Sequence, residues 1–382
     1  MTMTAKIQVT NDDLRAGVQE FLKGVLGLEE IRAVLTPMKL PGNNSVMPTL
    51  VTAPERLADA DPLAPAFPLN AARMVARLTR KPMGGKIAAV LRPCEIRAFV
   101  ELVKLKQGNS DDVVLIGIDC PGAFSNLDYI RFSGEDAAST AAFCKAALGD
   151  GGNLPEGFAL ATACQACEHP TPDGADIAIG LFGADIGRHV FAAANTAAGE
   201  AVLSALGLET TDAAPDQAAA VEKVVAERIA FRDRVFAETA EAVNGVEKMS
   251  AYFANCVNCY NCRVACPVCY CKECVFVTDA FNHEPSQYLK WADRKGAVKL
   301  PTDTVFYHLT RLAHMSTACV GCGQCSNACP NDIPVMEVFR MVSHDTQKAF
   351  DYVAGQDKDA PPPLSVFREN EFKEVVGIGP VN

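Results

Sequence analysis

Eleven of the sixteen cysteines in this 382-residue chain lie between Cys256 and Cys329. Cys256-x-x-Cys259-x-x-Cys262-x-x-x-Cys266-Pro267 is repeated further on as Cys319-x-x-Cys322-x-x-Cys325-x-x-x-Cys329-Pro330. Three thiolates spaced this way on a tight turn can reach three corners of one cubane, while the fourth cysteine starts a helix that points away and serves the neighbouring cube. Gly321 and Gly323 ease that turn in the second copy. The spacing therefore predicts two 4Fe-4S clusters. One is held by Cys256, Cys259, Cys262 and Cys329, the other by Cys319, Cys322, Cys325 and Cys266. Structural zinc uses C-x-x-C groups in pairs rather than this spacing. Disulfides belong mostly to small exported domains, which this chain does not resemble.

Five cysteines lie upstream, and their positions are informative. Cys94 and Cys120 each follow a short apolar run, Lys86–Leu91 and Val113–Ile118, and Cys164 and Cys167 form a C-x-x-C between Phe158–Ala163 and Asp176–Gly180. All four of these segments read as strands, and strand ends of an open α/β sheet are where ligands bind. Cys94, Cys120, Cys164 and Cys167 make a self-sufficient third set. Cys269, Cys271 and Cys274 follow the first run and are too dense for packing, so they need a fourth thiolate. Cys144, in an alanine-rich helical stretch (137–148), is the one left unassigned, although it reads better as a small buried apolar residue. A fourth cluster, and the division of these eight cysteines, stay open.

The elements that must carry these cysteines follow from periodicity. Asp12 and Asp13 precede a helical pattern through Leu14, Val18, Phe21, Leu22 and Val25. Ala33–Leu35 and Leu50–Thr52 look strand-like, and the proline-rich Asp61–Pro68 reads as a surface loop leading into a helix near 71–79. Strands then alternate with helices, Glu95–Lys106 being the first. Asp216–Met249 has a long helical pattern after turn-like Thr210–Pro215, and Ser286–Lys290 and Thr304–His314 are helical pieces between the two cysteine runs. His283, His308 and His314 there read as hydrogen-bonded helix residues rather than iron ligands. The expected organisation is an α/β domain with a partly parallel mixed sheet over 1–210 and a connecting helix over 211–250. An α-helical ferredoxin-like domain follows over 251–345, then an extended tail over 346–382 containing Pro361-Pro362-Pro363.

Composition narrows the function. With 49% apolar residues the chain can bury a large core, and a net charge of −11 disfavours nucleic acid or anionic lipid as a partner. No run of eighteen apolar residues and no basic-then-apolar leader is present, so neither a membrane span nor export is expected and the expected location is cytoplasmic. No G-x-G-x-x-G fingerprint occurs.

Lys86–Phe99 (KIAAVLRPCEIRAF), Leu115–Gly122 (LIGIDCPG) and Cys164–Gly183 (CQACEHPTPDGADIAIGLFG) resemble the beta-subunit family of coenzyme F420-reducing hydrogenase, which includes formate dehydrogenase beta subunits. Asn255–Cys274 with Cys319–Pro330 resembles the extended ferredoxin portion of the formate-dehydrogenase-associated members. The resemblance implies an iron–sulfur flavoprotein subunit carrying FAD, with electrons passing between a catalytic formate dehydrogenase- or hydrogenase-type partner and FAD, coenzyme F420 or heterodisulfide-reductase-like subunits. Substrate oxidation would occur in the partner. The alternative is a self-contained flavoenzyme acting on coenzyme F420 or NAD(P)H. If FAD is held, the Gly84-Gly85-Lys86 loop and the strand-end arginines Arg92 and Arg97 are where guanidinium and backbone would meet phosphate. The plainer reading of those five is a turn and two solvated arginines.

Overall fold

The computed structural model describes residues 3–41, 45–134, 139–149, 154–211 and 217–366. Seven strands, β1 (Thr4–Gln8), β2 (Ile31–Lys39), β3 (Val46–Val51), β4 (Lys86–Leu91), β5 (Val113–Ile118), β6 (Ile177–Gly180) and β7 (His189–Ala194), form one sheet in the order β1-β7-β6-β5-β4-β2-β3. The centre is parallel, β2 to β4 to β5 to β6, while β3, β7 and β1 pair antiparallel towards the two edges. β4 and β5 read as continuous apolar runs because both faces of the sheet are covered. Ala88, Val90, Val114 and Ile116 pack into one core, and Ile87, Ala89, Leu91, Val113 and Leu115 into another on the opposite face.

The helices of the sheet domain are α1 (Leu14–Leu26), α2 (Ala72–Leu78), α3 (Pro93–Lys104), α4 (Asn126–Ser133), α5 (Thr140–Leu148), α6 (Thr162–Gln165) and α7 (Ala197–Leu206). Asp13 caps α1 by accepting from the Ala16 amide at 3.0 Å. The remaining helices are α8 (Gln217–Ala242), α9 (Val246–Tyr252), α10 (Asn261–Ala265), α11 (Pro285–Lys295), α12 (Thr304–Met315), α13 (Gln324–Asn327) and α14 (Val335–Ala349). The second core runs without a break from the sheet and α3 into this helical region, through Phe253, Val268, Leu312, Val338 and Phe339. The cysteine runs are therefore packed against the sheet. Among the described residues no helix is long and apolar enough to cross a membrane.

Four expectations are corrected. Phe158–Ala163 is not a strand: Phe158 packs among Phe124 and Phe132, and α6 begins at Thr162. The long pattern from Asp216 (itself outside the described residues) breaks at Gly245, whose φ of 99° suits glycine, giving α8 and α9. The buried positions of α8 are Arg228 and Thr239. Asp61–Phe67 is buried, not a surface loop. Residues 352–355 turn back onto α3, where the Arg97 guanidinium donates to the Ala354 carbonyl at 2.9 Å and the Gly355 amide to Glu101 at 2.7 Å. A Cβ on Gly355 would lie 2.1 Å from the Arg97 carbonyl oxygen, so only glycine permits this approach. The tail from 367 onward lies outside the described residues.

Asp61 shows what burying that loop costs. Its carboxylate is wholly buried, accepts from the Thr140 hydroxyl at 2.7 Å, and burial raises its pKa above the ordinary carboxylate value. The folded chain thus holds this proton to higher pH than the unfolded chain does. The Asp61 contribution to stability is largest at low pH and declines as pH rises through the carboxylate range. Thr140→Val removes the hydroxyl donor and is expected to destabilise the fold by about 1.5–3 kcal/mol at pH 7. The loss should be smaller at pH 4, as thermal unfolding at the two pH values would show.

Candidate iron–sulfur centres

Both cysteine runs form the same turn. In the first, Asn258 (φ 51°) and Tyr260 (φ 63°) are left-handed and flank Cys259; in the second, Gly321 (φ 70°) and Gly323 (φ 76°) flank Cys322. The left-handed steps fold the three cysteines of a run towards one side. Asparagine tolerates this conformation, and the Asn258 side chain is fixed by donating to Asp303 at 3.0 Å and accepting from Thr304 at 2.9 Å. The second run has no room for side chains at these positions. A Cβ on Gly323 would lie 2.4 Å from the Ala163 Cβ, and one on Gly321 2.7 Å from the Arg340 side chain. Gly323→Val is therefore expected to lose the iron of the second run while leaving the sheet folded. Iron analysis beside far-ultraviolet circular dichroism checks this.

Cys256, Cys259, Cys262 and Cys329 line one small cavity together with Tyr307 and His308, so the crossed assignment of the first set corresponds to a single place in the fold. Three side chains of α12 reach its sulfurs. The His308 Nε2 lies 3.4 Å from Cys256 Sγ, the Tyr307 hydroxyl 3.3 Å from Cys262 Sγ, and the Arg311 guanidinium donates to Cys262 Sγ at 3.1 Å. His308 stacks on Phe253 at 3.9 Å, and burial with nearby cations lowers its pKa to about 3. Sequence reasoning gave Tyr307 and Arg311 no role. Positions 307, 308 and 311 fall on a single face of one helix, but nothing in the local pattern tells which surface that face meets.

Cys266, Cys322 and Cys325 pack against the second core. Burial raises the pKa of Cys266 to about 12, and the thiols of Cys322 and Cys325 are also pushed up, with charge on Cys266 and Cys319 opposing charge on both. Thiolates packed this closely are unfavourable as a bare set and become favourable around a cationic core.

The sheet-domain set also converges. Cys94 opens α3 after β4, Cys120 follows β5, Cys164 is in α6 and Cys167 just beyond it; all four line one cavity with Arg92, Arg228, His169 and Cys322. Cys322 lines the same cavity and its charge opposes charge on Cys94, so this set lies beside the second run. Arg92 spans Cys120 Sγ at 3.8 Å and the carbonyls of Ala64 and Ala66, both at 2.7 Å, and Arg228 donates to the carbonyls of Cys120 and Pro121. Glu168, next to Cys167, pairs with Arg340 of α14 and Arg232 of α8, tying the C-x-x-C loop to both helices.

Cys269, Cys271 and Cys274 are close to one another and to Arg263 and Arg311. Cys144 does not join them. It is 2% exposed in the core on the other face of the sheet, where burial raises its thiol pKa to about 12. All sixteen cysteines are free. The donor chemistry fits iron–sulfur clusters: all-sulfur sets with guanidinium and hydroxyl donors directed at the sulfurs match an anionic cluster whose potential such bonds tune.

The five residues expected to hold FAD do not converge. Gly84, Gly85 and Lys86 enter β4 and Arg92 leaves it, with Lys86 and Arg92 roughly 20 Å apart at the usual rise per strand residue. Lys86 pairs with Glu30 at 2.9 Å, and a Cβ on Gly85 would strike the Arg32 side chain, so this turn serves the entry to β4. Arg97 is buried on the carbonyls of Ala354 and Val320. These residues do not fit a flavin as a set.

A mixed α/β sheet joined to a helical region with two ferredoxin runs defines an iron–sulfur protein. The family model for a 4Fe-4S binding domain matches residues 314–335. Among curated proteins, the chain is 26% identical over 355 residues to the F420-dependent formate dehydrogenase subunit beta of Methanocaldococcus jannaschii, covering 84% of this chain and 86% of the relative. It is 28% identical over 306 residues to the F420-dependent formate dehydrogenase 1 subunit beta of Methanococcus maripaludis, covering 73% and 75%. Among solved structures, a chain of the F420-reducing NiFe hydrogenase complex from Methanosarcina barkeri aligns with a TM-score of 0.46 and 16% identity, covering 65% of this chain and 94% of that one. The sequence resemblance and the curated relatives thus agree on beta subunits of this type, and the chain carries 4Fe-4S binding chemistry.

Proposed function

We propose that this chain is the electron-transfer beta subunit of a formate dehydrogenase- or hydrogenase-type complex. Three four-thiolate sets carry clusters: Cys256, Cys259, Cys262 and Cys329; Cys266, Cys319, Cys322 and Cys325; and Cys94, Cys120, Cys164 and Cys167. The observation that carries this reading is their adjacency, with Cys322 bordering the sheet-domain cavity and Cys266 following directly on the first run. When bound, the clusters supply one-electron carriers. The protein keeps the second set partly buried, directs Arg311 and Arg92 at sulfur, and leaves Cys259 exposed on the first run as the point nearest a partner. Cys269, Cys271 and Cys274 would form a further thiolate set whose fourth ligand comes from outside the sixteen cysteines, since Cys144 is across the sheet.

On this reading the donor is a catalytic subunit, and the acceptor is coenzyme F420, FAD or a heterodisulfide-reductase-like subunit, as the names of the relatives and the sequence resemblance suggest. No step is routed through a flavin here, because the five residues expected for it lie at two ends of β4. The test is anaerobic purification with and without the product of a neighbouring reading frame that encodes a catalytic subunit. Formate or hydrogen should bleach the clusters only in the complex. Bleaching of the isolated chain by either substrate would contradict the proposal.

A further inference from the structure

Two buried arginines stand between the second cysteine run and the sheet-domain set. Arg97 lies one turn after Cys94 on α3, on the same helix face. Its guanidinium donates at 3.4 Å to the carbonyl of Val320, inside the second run. Arg340 comes from α14 and pairs with Glu168, the residue after Cys167. Its side chain also packs over the second run, where a Cβ on Gly321 would lie 2.7 Å from it. Each arginine therefore adjoins both sets, and the two are only 7% and 5% exposed.

The positive charge here is not balanced. Glu168 is shared between Arg340 and Arg232. Among the described residues Arg97 forms no ion pair, and one of its terminal nitrogens is buried without a hydrogen-bond partner. Glu101, one turn further along α3, is taken by Lys104, Tyr352 and the Gly355 amide. Burial and the charge on Arg340 both disfavour charge on Arg97, while charge on Cys167, Glu168 and Cys94 favours it. A buried cation without a counter-ion is costly, and the anions at hand are the thiolate sets on either side. A 4Fe-4S cluster on four thiolates is anionic and gains a further negative charge on reduction, so positive charge beside it favours the reduced form. We propose that Arg97 and Arg340 form a cationic bridge that raises the reduction potentials of the second and the sheet-domain clusters together. A charge placed between two sites acts on both, so its removal should lower two midpoints rather than one. Arg311 is a separate device, since it serves the first run through Cys262. The bridge presupposes the three clusters of the proposed electron-transfer role.

The test is an anaerobic redox titration of the full-length, iron-loaded chain, followed by electron paramagnetic resonance beside iron analysis. Cys94→Ser and Cys322→Ser, each removing one of the two clusters, identify their midpoints. Arg97→Met should make both clusters about tenfold harder to reduce, which is 59 mV for one electron, with iron content and the first cluster's midpoint unchanged. Arg97→Lys keeps the charge and should leave both midpoints close to their original values. Glu168→Gln removes the opposing charge and should move the sheet-domain midpoint upward. A merely structural role for Arg97, holding the 352–355 turn through the Ala354 carbonyl, predicts the opposite sign for Arg97→Met. Water admitted to the site would favour the more highly charged reduced form and raise the midpoint. Should Arg97→Met lose iron, Arg340→Met puts the same question from α14, with the same fall expected in both midpoints. Midpoints that stay or rise in the methionine variants, or that fall as far in Arg97→Lys, would overturn the bridge. Iron far below about twelve atoms in the unaltered chain would overturn the three-cluster reading and the bridge with it, whereas full iron with unmoved midpoints overturns the bridge alone.

Discussion

Cys322→Ser is expected to remove the second cluster, lowering iron from about twelve to about eight atoms per chain, and to reduce electron flow through the complex to background. The catalytic partner, assayed with an artificial dye, should retain its activity. The expected effect is large because Cys322 occupies two positions at once: it belongs to the second run and lines the cavity of Cys94, Cys120, Cys164 and Cys167. Cys144→Ser supplies the control. That thiol lies in the opposite core with Phe143 and Phe124, so iron content should not change. Unchanged iron in the Cys322 variant, or loss of iron in the Cys144 variant, would overturn the ligand assignment.

Arg311→Met is expected to lower the reduction potential of the first cluster without removing it. Arg311 donates to Cys262 Sγ at 3.1 Å and to the Cys262 carbonyl at 3.1 Å, and it is 4% exposed. A hydrogen bond to a charged group is worth about 1.5–3 kcal/mol, and reduction adds negative charge that this cation stabilises. For one electron, about 1.4 kcal/mol corresponds to 59 mV, so the potential should fall by roughly 60–130 mV. Methionine keeps the packing against Phe339, over whose ring the guanidinium lies at 4.6 Å. A redox titration followed by electron paramagnetic resonance reads the shift. An unchanged potential with full iron would show that Arg311 serves only the backbone.

The two cysteine runs were legible because their ligand geometry is local: a turn of seven residues fixes three sulfurs whatever surrounds it. β4 and β5 were legible for a related reason, since a strand covered on both faces admits only apolar side chains. β1 was not, because Thr4–Gln8 is a five-residue edge strand with only Ala5 and Ile7 as buried positions, too few to mark a period. The buried proline-rich loop was misread because composition reports turn propensity and not what covers the turn. Phe158–Ala163 looked strand-like through apolar content, yet its aromatic residue belongs to a side-chain cluster contributed by α4 and α5. The Gly84-Gly85-Lys86 turn suggested phosphate because glycine followed by a cation is the common pattern. Here the missing Cβ is required by the Arg32 side chain instead. The partners of the sulfurs were hidden for a different reason. His308 and Arg311 sit on an amphipathic helix of ordinary pattern, and only tertiary packing shows that its polar face points at cysteines.

If these cysteines hold iron and inorganic sulfide in cubane clusters, iron, sulfide and zinc analysis of the anaerobically purified chain should find about twelve iron and twelve sulfide per chain, and electron paramagnetic resonance after dithionite reduction should show interacting reduced 4Fe-4S signals. A colourless protein containing zinc and no iron would contradict the cluster assignment.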